Sequence, residues 1–134
     1  IAVIRRGTRN GTKYLMGERR EQPGRLVFIG GGIELGDDTI EKAALREAKE
    51  EVNVECKKEK YLGSKISKGT RLHFTLCKHI KGNVTPNPRE LTWARYMTPR
   101  EILVAQINGK IKGNMYRPVF EHIFNDYYVG EHMN

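Results

Sequence analysis

Cysteines are scarce and long apolar runs are absent, which removes several classes of protein at the outset. The two cysteines, Cys56 and Cys77, are too few and too isolated for a disulfide framework or a cysteine-based zinc site. Both lie in apolar or alternating segments, so we expect reduced, at least half-buried thiols, as in a cytoplasmic protein. No apolar run approaches the roughly 18 residues of a membrane span, and no signal peptide is visible. We therefore expect a cytoplasmic protein with no membrane partner.

The chain also lacks repeats, low-complexity tracts and Pro/Ser-rich linkers. It has 134 residues, of which 38% are hydrophobic and 30% charged. This length and composition predict one soluble globular domain over residues 1–134, able to fold without disulfides or a structural metal. The sequence begins at Ile1 without a methionine, which is compatible with a truncated N-terminus. A monomer and a homodimer both remain open.

The charge is unbalanced towards the basic side. Lys and Arg number 24 against 16 Asp and Glu, a formal net charge of +8. Such an excess favours phosphates, nucleotides or nucleic acid as partners, although the basic residues are scattered and also serve solubility.

Hydrophobic periodicity and turn residues predict five strands and three helices. The Thr98-Pro99-Arg100-Glu101 run forms a capping box, and Asp38 with Glu41 resembles a second one. This order predicts an α/β fold of the α+β type, a mixed sheet sandwiched between helices. The predicted strands cover 1–4, 14–16, 26–29, 71–80 and 93–96, with a turn over 6–12, and the predicted helices cover 39–52, 98–107 and 115–129. The inner face of the last helix is predicted to carry Val119, Phe120, Ile123, Phe124 and Tyr127.

The central helix carries an unusual concentration of carboxylates. At about 100° per residue, Glu47, Glu50 and Glu51 share an arc beside the apolar stripe of the helix. Like charges at this spacing repel, and the helix C-terminus also disfavours negative charge. Arg46 can pair with Glu50, which leaves two carboxylates unbalanced. A solvated charged face and a site for Mg²⁺ or Mn²⁺ are both compatible with this pattern.

The segment before this helix favours the second interpretation. Gly30-Gly31-Gly32 follows a buried strand and leads into the acidic helix. Glycines allow backbone amides and carbonyls to approach a phosphate or a metal closely.

Together these residues resemble the Nudix box, which runs Gly, five residues, Glu, seven residues, Arg-Glu, an aliphatic, any residue, Glu-Glu, any residue, Gly and an aliphatic. The matching segments are Gly30 to Asp38 and Ala43 to Val54. Counting back from Arg46 places Asp38 at the box glutamate, whereas the glycines align better one residue earlier. Whether Asp37 or Asp38 takes that structural role is therefore open. Asn53 replaces the glycine that ends the helix, as the next-best residue for a left-handed cap.

The resemblance implies a Nudix-like α/β/α sandwich whose acidic helix is catalytic. It implies a MutT-like, metal-dependent pyrophosphohydrolase that cleaves a phosphoanhydride in a nucleoside diphosphate linked to another group. Glu50 and Glu51 would be the principal ligands of Mg²⁺ or Mn²⁺, and Glu47 a third ligand or the general base. Arg46 would hold a carboxylate in place. The implied site also includes the backbone of Gly31 and Gly32, with the Gly31 carbonyl reaching the metal, and Glu90 as an outlying base or ligand, although Glu90 is equally compatible with an exposed loop residue.

The resemblance leaves the substrate undefined. Candidates are a nucleoside triphosphate, a nucleotide sugar or, as a less favoured alternative, a capped or triphosphorylated RNA 5′ end. A non-catalytic nucleotide-binding regulatory module is a further alternative, which the intact carboxylates disfavour. Arg5, Arg19 and Arg20 are candidate phosphate contacts, and His73 has no assigned role.

Overall fold

The computed structural model describes residues 1–8, 11–31, 36–111 and 116–132, with the backbone alone described for residues 8 and 126–132. None of the helices in these ranges is long and apolar enough to cross a membrane. In chain order, the elements are β1 (Ala2–Thr8), β2 (Gly11–Arg19), β3 (Leu26–Val27), α1 (Ile40–Val52), β4 (Glu55–Ser67), β5 (Thr70–Lys81), β6 (Leu91–Met97), α2 (Pro99–Ile107) and α3 (Arg117–His132).

The six strands form one mixed sheet. Hydrogen-bonded neighbours follow the order β3-β2-β1-β5-β4. Outside this path, β6 also pairs with β2. β1 and β5 run parallel, with Ile4 opposite Cys77, and the other pairings are antiparallel. This arrangement confirms the predicted mixed sheet.

Alternate residues of the sheet face two different helical layers. In β1, Ala2 and Ile4 pack with the α1 residues Ala44 and Ala48, while Val3 faces the other side. On that second side, the core is completed by residues of α2 and α3: Ile102, Ala105, Val119 and Ile123. Because successive side chains of a strand point to opposite faces, one sheet separates two cores. The α/β/α sandwich is confirmed.

Strand β4 was not predicted from the sequence, and β1 and β2 extend well into the predicted turn. β4 is rich in exposed lysines and pairs with β5 along a hairpin with three register irregularities. A bulge shifts the alternation of inward and outward side chains, so the period of two is lost in the sequence. The β1–β2 pairing continues to Thr8 opposite Gly11, through polar residues with no hydrophobic signal.

The helix caps agree with the prediction at two of three points. Asn53 adopts the left-handed conformation (φ 60°, ψ 35°), and Thr98 and Glu101 form the capping box. The prediction of an Asp38 capping box was wrong, because the Thr39 hydroxyl accepts from the Lys42 amide and caps α1.

The inner face of α3 is narrower than predicted. Val119 and Ile123, one turn apart, are fully buried, whereas Phe124 is 46% exposed and stacks on Phe120. Phe120 and Phe124 are each about 100° further round the helix than the buried pair. The side chain of Tyr127 lies outside the described residues.

Candidate active site

The two glycines after β3 bring the backbone against the acidic helix. A Cβ atom on Gly31 would stand 2.5 Å from Oε1 and 2.8 Å from Cδ of Glu47. A side chain at this position would displace the Glu47 carboxylate, whereas glycine allows the segment to lie on it. The close approach supports the predicted role of Gly31, while Gly32 lies outside the described residues.

Glu51 is the most confined carboxylate of the site. Its side chain is buried, the residue being 5% exposed, and the backbone amide of Gly30 donates to it. Within the described ranges, its fully buried Oε2 has no hydrogen-bond partner. A buried oxygen without a donor is unfavourable unless a proton or a cation satisfies it.

The loop 82–90 brings a third carboxylate, Glu90, to Glu51. The Asn87 amide donates to the Glu51 carbonyl at 2.7 Å, and the Thr85 amide donates to the Val52 carbonyl at 2.9 Å. These bonds satisfy carbonyls at the end of α1 that have no partner within the helix. Arg20 holds the other side of the loop, since its Nε donates to the Pro88 carbonyl at 2.6 Å. Glu90 is thereby placed where its carboxyl interacts with that of Glu51.

Burial and neighbouring charge raise the pKa of two carboxyls here. The pKa of Glu51 is raised to about 8. Burial is the main cause, and the Glu90 carboxyl and the Glu47 charge add to it. Burial also raises the pKa of Glu47, although the guanidinium of Arg46 opposes the shift. Such shifts are typical of sites where a proton or a cation is exchanged.

Arg46 connects the helix to the preceding loop. Its Nε donates to both carboxylate oxygens of Asp37 (2.9 and 3.2 Å), and Nη2 donates to Oδ2 at 2.9 Å. Nη1 donates to Glu47 at 3.0 Å and to Glu50 at 2.8 Å. Asp37 thus holds the structural position beside Arg46, whereas exposed Asp38 pairs with Lys42 at 2.9 Å.

The structure separates Glu50 from the other two helix carboxylates. Glu47 and Glu51 are buried against the packed face, but the side chain of Glu50 is 55% exposed and paired with Arg46. The expectation that all three lie along the edge of the packed face was therefore wrong for Glu50. The reason is geometric, because Glu50 lies at the solvent end of the predicted arc. In the described part of the chain, no group of three acidic, histidine or cysteine side chains is arranged to bind a metal ion without further rearrangement.

Two arginines share a cavity with these carboxylates. The cavity has a volume of about 310 Å³ and is lined by Arg19, Glu21, Gly30, Gly31, Glu47, Arg89 and Glu90. Arg19 was predicted as a phosphate contact. Arg89 was missed, although its position beside Glu90 could have indicated it. Arg5 pairs with Glu59 at 2.6 Å, and His73 interacts with the Tyr61 hydroxyl, so neither belongs to this cavity.

The donor set fits a hard divalent cation. Glu47 and Glu90 line the cavity, Glu51 adjoins Glu90 with an unsatisfied oxygen, and the backbone of Gly30 and Gly31 is open to it. Oxygen donors with room for water and substrate phosphate match the preference of Mg²⁺ or Mn²⁺.

Fold and site together define an α/β/α domain with an acidic helix at its candidate active site. The family model described as NUDIX domain matches residues 1–117. The chain belongs to the NUDIX family and is a Nudix-type pyrophosphohydrolase, as the resemblance predicted.

Solved structures share this fold at low sequence identity. The chain is similar to a NUDIX hydrolase from Nitrosomonas europaea, with 17% identity over 95% of this chain and 70% of that one (TM-score 0.75). It is similar to an Ap4A hydrolase from C. elegans, with 19% identity over 96% and 95% (TM-score 0.68). An ADP-ribose pyrophosphatase from Streptococcus suis is 16% identical over 74% and 72% (TM-score 0.59). A search of curated proteins gave no significant match.

Proposed function

We propose that this chain uses Mg²⁺ or Mn²⁺ to hydrolyse a phosphoanhydride bond in a small nucleotide. The substrate class is a nucleoside diphosphate linked to another group, such as a nucleoside triphosphate or a nucleotide sugar. The observation that carries the proposal is the buried Glu51 oxygen, which has no donor among the described residues and lies beside the carboxyl of Glu90. A cation at this point would satisfy the oxygen and relieve the repulsion between the carboxylates.

Glu47 and Glu51 would hold the cation with the Gly31 carbonyl, and Glu50 would complete the set from the rim. A bound divalent cation lowers the pKa of water and neutralises charge on phosphoryl oxygens. Arg19 and Arg89 line the same cavity and would bind phosphate oxygens of the substrate. Arg46 acts indirectly, because it fixes Glu47 and the loop at Asp37.

Of the two candidate general bases, the contacts favour Glu90. Glu47 is buried, with one oxygen accepting from Arg46 and the Gly31 backbone packed on its carboxylate. Glu90 is exposed and lines the cavity, where water can reach it. A base must contact the water that it deprotonates. Glu90→Gln should therefore mainly lower kcat, while Glu47→Gln should mainly weaken metal binding.

The substrate class is supported by the activities for which structural neighbours are named. They include an Ap4A hydrolase, an ADP-ribose pyrophosphatase and a UDP-X diphosphatase. Their named substrates share a nucleoside phosphate joined through an anhydride. Because sequence identity to these proteins is low, they support the class and not a particular substrate.

The test is a hydrolysis screen over a nucleotide panel with Mg²⁺ or Mn²⁺, with products identified by mass. We expect one class to release a nucleoside monophosphate or diphosphate. Glu51→Gln should lose most of this activity, while Lys49→Gln, exposed on the same helix, should retain it. Metal-dependent nucleotide binding without cleavage across the panel would contradict the proposal and favour a regulatory module.

A further inference from the structure

A second cavity lies on the sheet, and it is basic. Its volume is about 370 Å³, and the described residues that line it include no carboxylate: Arg6, Lys13, His79, Gly82, Asn83, Val84, Arg95 and Tyr96. The acidic cavity, in contrast, contains Glu21, Glu47 and Glu90. The two cavities therefore select ligands by different chemistry.

The strand register places two cations of this cavity side by side. Arg6 of β1 lies directly opposite Lys13 of β2 in the antiparallel pairing. Like charges in this position are destabilising. Neither side chain, within the described ranges, has an ion-pair partner, whereas the neighbouring Arg5 pairs with Glu59 at 2.6 Å. Among the described residues, the positive charge of this pair in the cavity lining is therefore not balanced by an ion pair.

A chain of contacts holds Arg6 in place. Its guanidinium lies 4.3 Å from the centre of the Tyr96 ring. The Tyr96 hydroxyl is 2.5 Å from Nδ1 of His79, and Nε2 of His79 is 2.7 Å from the Gly82 carbonyl. Since the carbonyl only accepts, Nε2 carries the proton and donates. His79 thus fixes Tyr96, and Tyr96 supports Arg6, so the cation is ordered before any ligand binds.

We propose that this basic cavity is a second phosphate-binding site, beyond the proposed hydrolytic function. Arg6 and Lys13 bind the phosphate oxygens, and removal of their mutual repulsion contributes to the affinity. Planar guanidinium and ammonium groups side by side match a tetrahedral anion.

The two sites are separate but connected. Lys13 and Arg19 line different cavities and lie six residues apart on β2, a span of about 20 Å. The loop 82–90 contributes residues to both, with Asn83 at the basic cavity and Glu90 at the acidic one. The phosphate could come from a free nucleotide or polyphosphate, or from the backbone of an oligonucleotide whose 5′ end occupies the acidic cavity.

Calorimetric titration of tripolyphosphate in EDTA tests the site. Without a divalent cation, the carboxylates of the acidic cavity oppose phosphate binding by Arg19 and Arg89, and the loss of affinity in the Arg6 and Lys13 variants reports the basic cavity. Arg6→Gln and Lys13→Gln should each weaken tripolyphosphate binding about tenfold, equal to about 1.4 kcal/mol. Lys60→Gln, an exposed lysine that lines neither cavity, should bind like the parent. Thermal melts should show both cavity variants folded and at least as stable as the parent, because a like-charge pair is removed.

A length series of single-stranded oligonucleotides distinguishes the two phosphate sources. If the source is a nucleic-acid backbone, affinity rises over the first few nucleotides, and each variant lowers the salt slope by about one. If the source is a free phosphate, affinity is independent of length, and only tripolyphosphate binding responds to the variants. Absence of tripolyphosphate binding by the parent, or binding by both variants as tight as that of the parent, would overturn the site. Hydrolysis of small nucleotides by the variants is measured in parallel and should be retained, so failure of the proposed function would be detected separately.

Discussion

Replacement of Glu51 by Gln perturbs the centre of the site with almost no change in shape. The pKa of Glu51 is raised from 4.5 to about 8, first by burial and then by Glu90 and Glu47. Between these pH values, the unfolded chain is ionised at this position while the folded chain keeps the proton. The stability contributed by this group is complete below about pH 4.5 and is lost as the pH rises towards 8.

The magnitude follows from the linkage between protonation and folding. The slope is at most about 1.4 kcal/mol per pH unit, or about 5 kcal/mol over the whole interval. Because the titration is coupled to that of neighbouring carboxyls, we expect less than half of this upper bound, about 2 kcal/mol, between pH 5 and 8. In a chain of this size, this corresponds to a shift in Tm of roughly 7 °C.

The assay is thermal melting of the metal-free parent and Glu51→Gln between pH 5 and 8.5. The difference in free energy of unfolding should shift in favour of the variant as the pH rises. The free energy of unfolding of Glu41→Gln, a change at an exposed position in the first turn of the same helix, should depend on pH as that of the parent does. Parallel curves for the parent and Glu51→Gln would refute the argument that burial and neighbouring carboxyls hold this proton.

A divalent cation supplies the second half of the test. If Mg²⁺ or Mn²⁺ binds only the folded protein and its concentration is one hundred times its Kd, the free energy of unfolding of the parent rises by about 2.7 kcal/mol. Glu51→Gln removes one negative ligand and should gain far less. Equal stabilisation of both proteins would show that the metal binds elsewhere.

The remaining predictions concern residues around the site. Gly31→Ala should lower activity at least tenfold, with a folded circular dichroism spectrum, because its Cβ would displace the Glu47 carboxylate; parent-like kcat/KM would contradict this contact. Arg46→Lys should lower both stability, by about 1–3 kcal/mol in urea denaturation, and activity, because an ammonium cannot bridge Asp37 and Glu47 as the guanidinium does. Asn53→Gly should leave activity intact and stability unchanged or slightly higher, while Asn53→Val should lower the Tm, since a β-branched residue resists positive φ; a Tm for Val at or above that of Asn would argue against the left-handed cap.

The sequence by itself determined the family, the sandwich architecture and most of the acidic helix. Periodicities of two and 3.6 residues depend only on which side chains avoid water, so β5, β6 and α2 were predicted close to their observed positions. Helix ends follow equally local rules, as Asn53 and the Thr98 capping box show. Burial of Glu47 and Glu51 followed from their place beside the apolar stripe of α1.

Only the tertiary structure decided which groups share each cavity. Glu90 reaches Glu51 because the loop 82–90 bonds to the carbonyls at the end of α1, a contact between residues far apart in sequence. Asp37 takes its position through Arg46, since the bonding geometry of the guanidinium resolves a choice between adjacent aspartates that spacing leaves open. The basic cavity has the same origin: Arg6 and Lys13 are opposed by strand register and joined by His79 through sheet pairing. Local propensity carries no information about such pairings, because they depend on how distant segments pack.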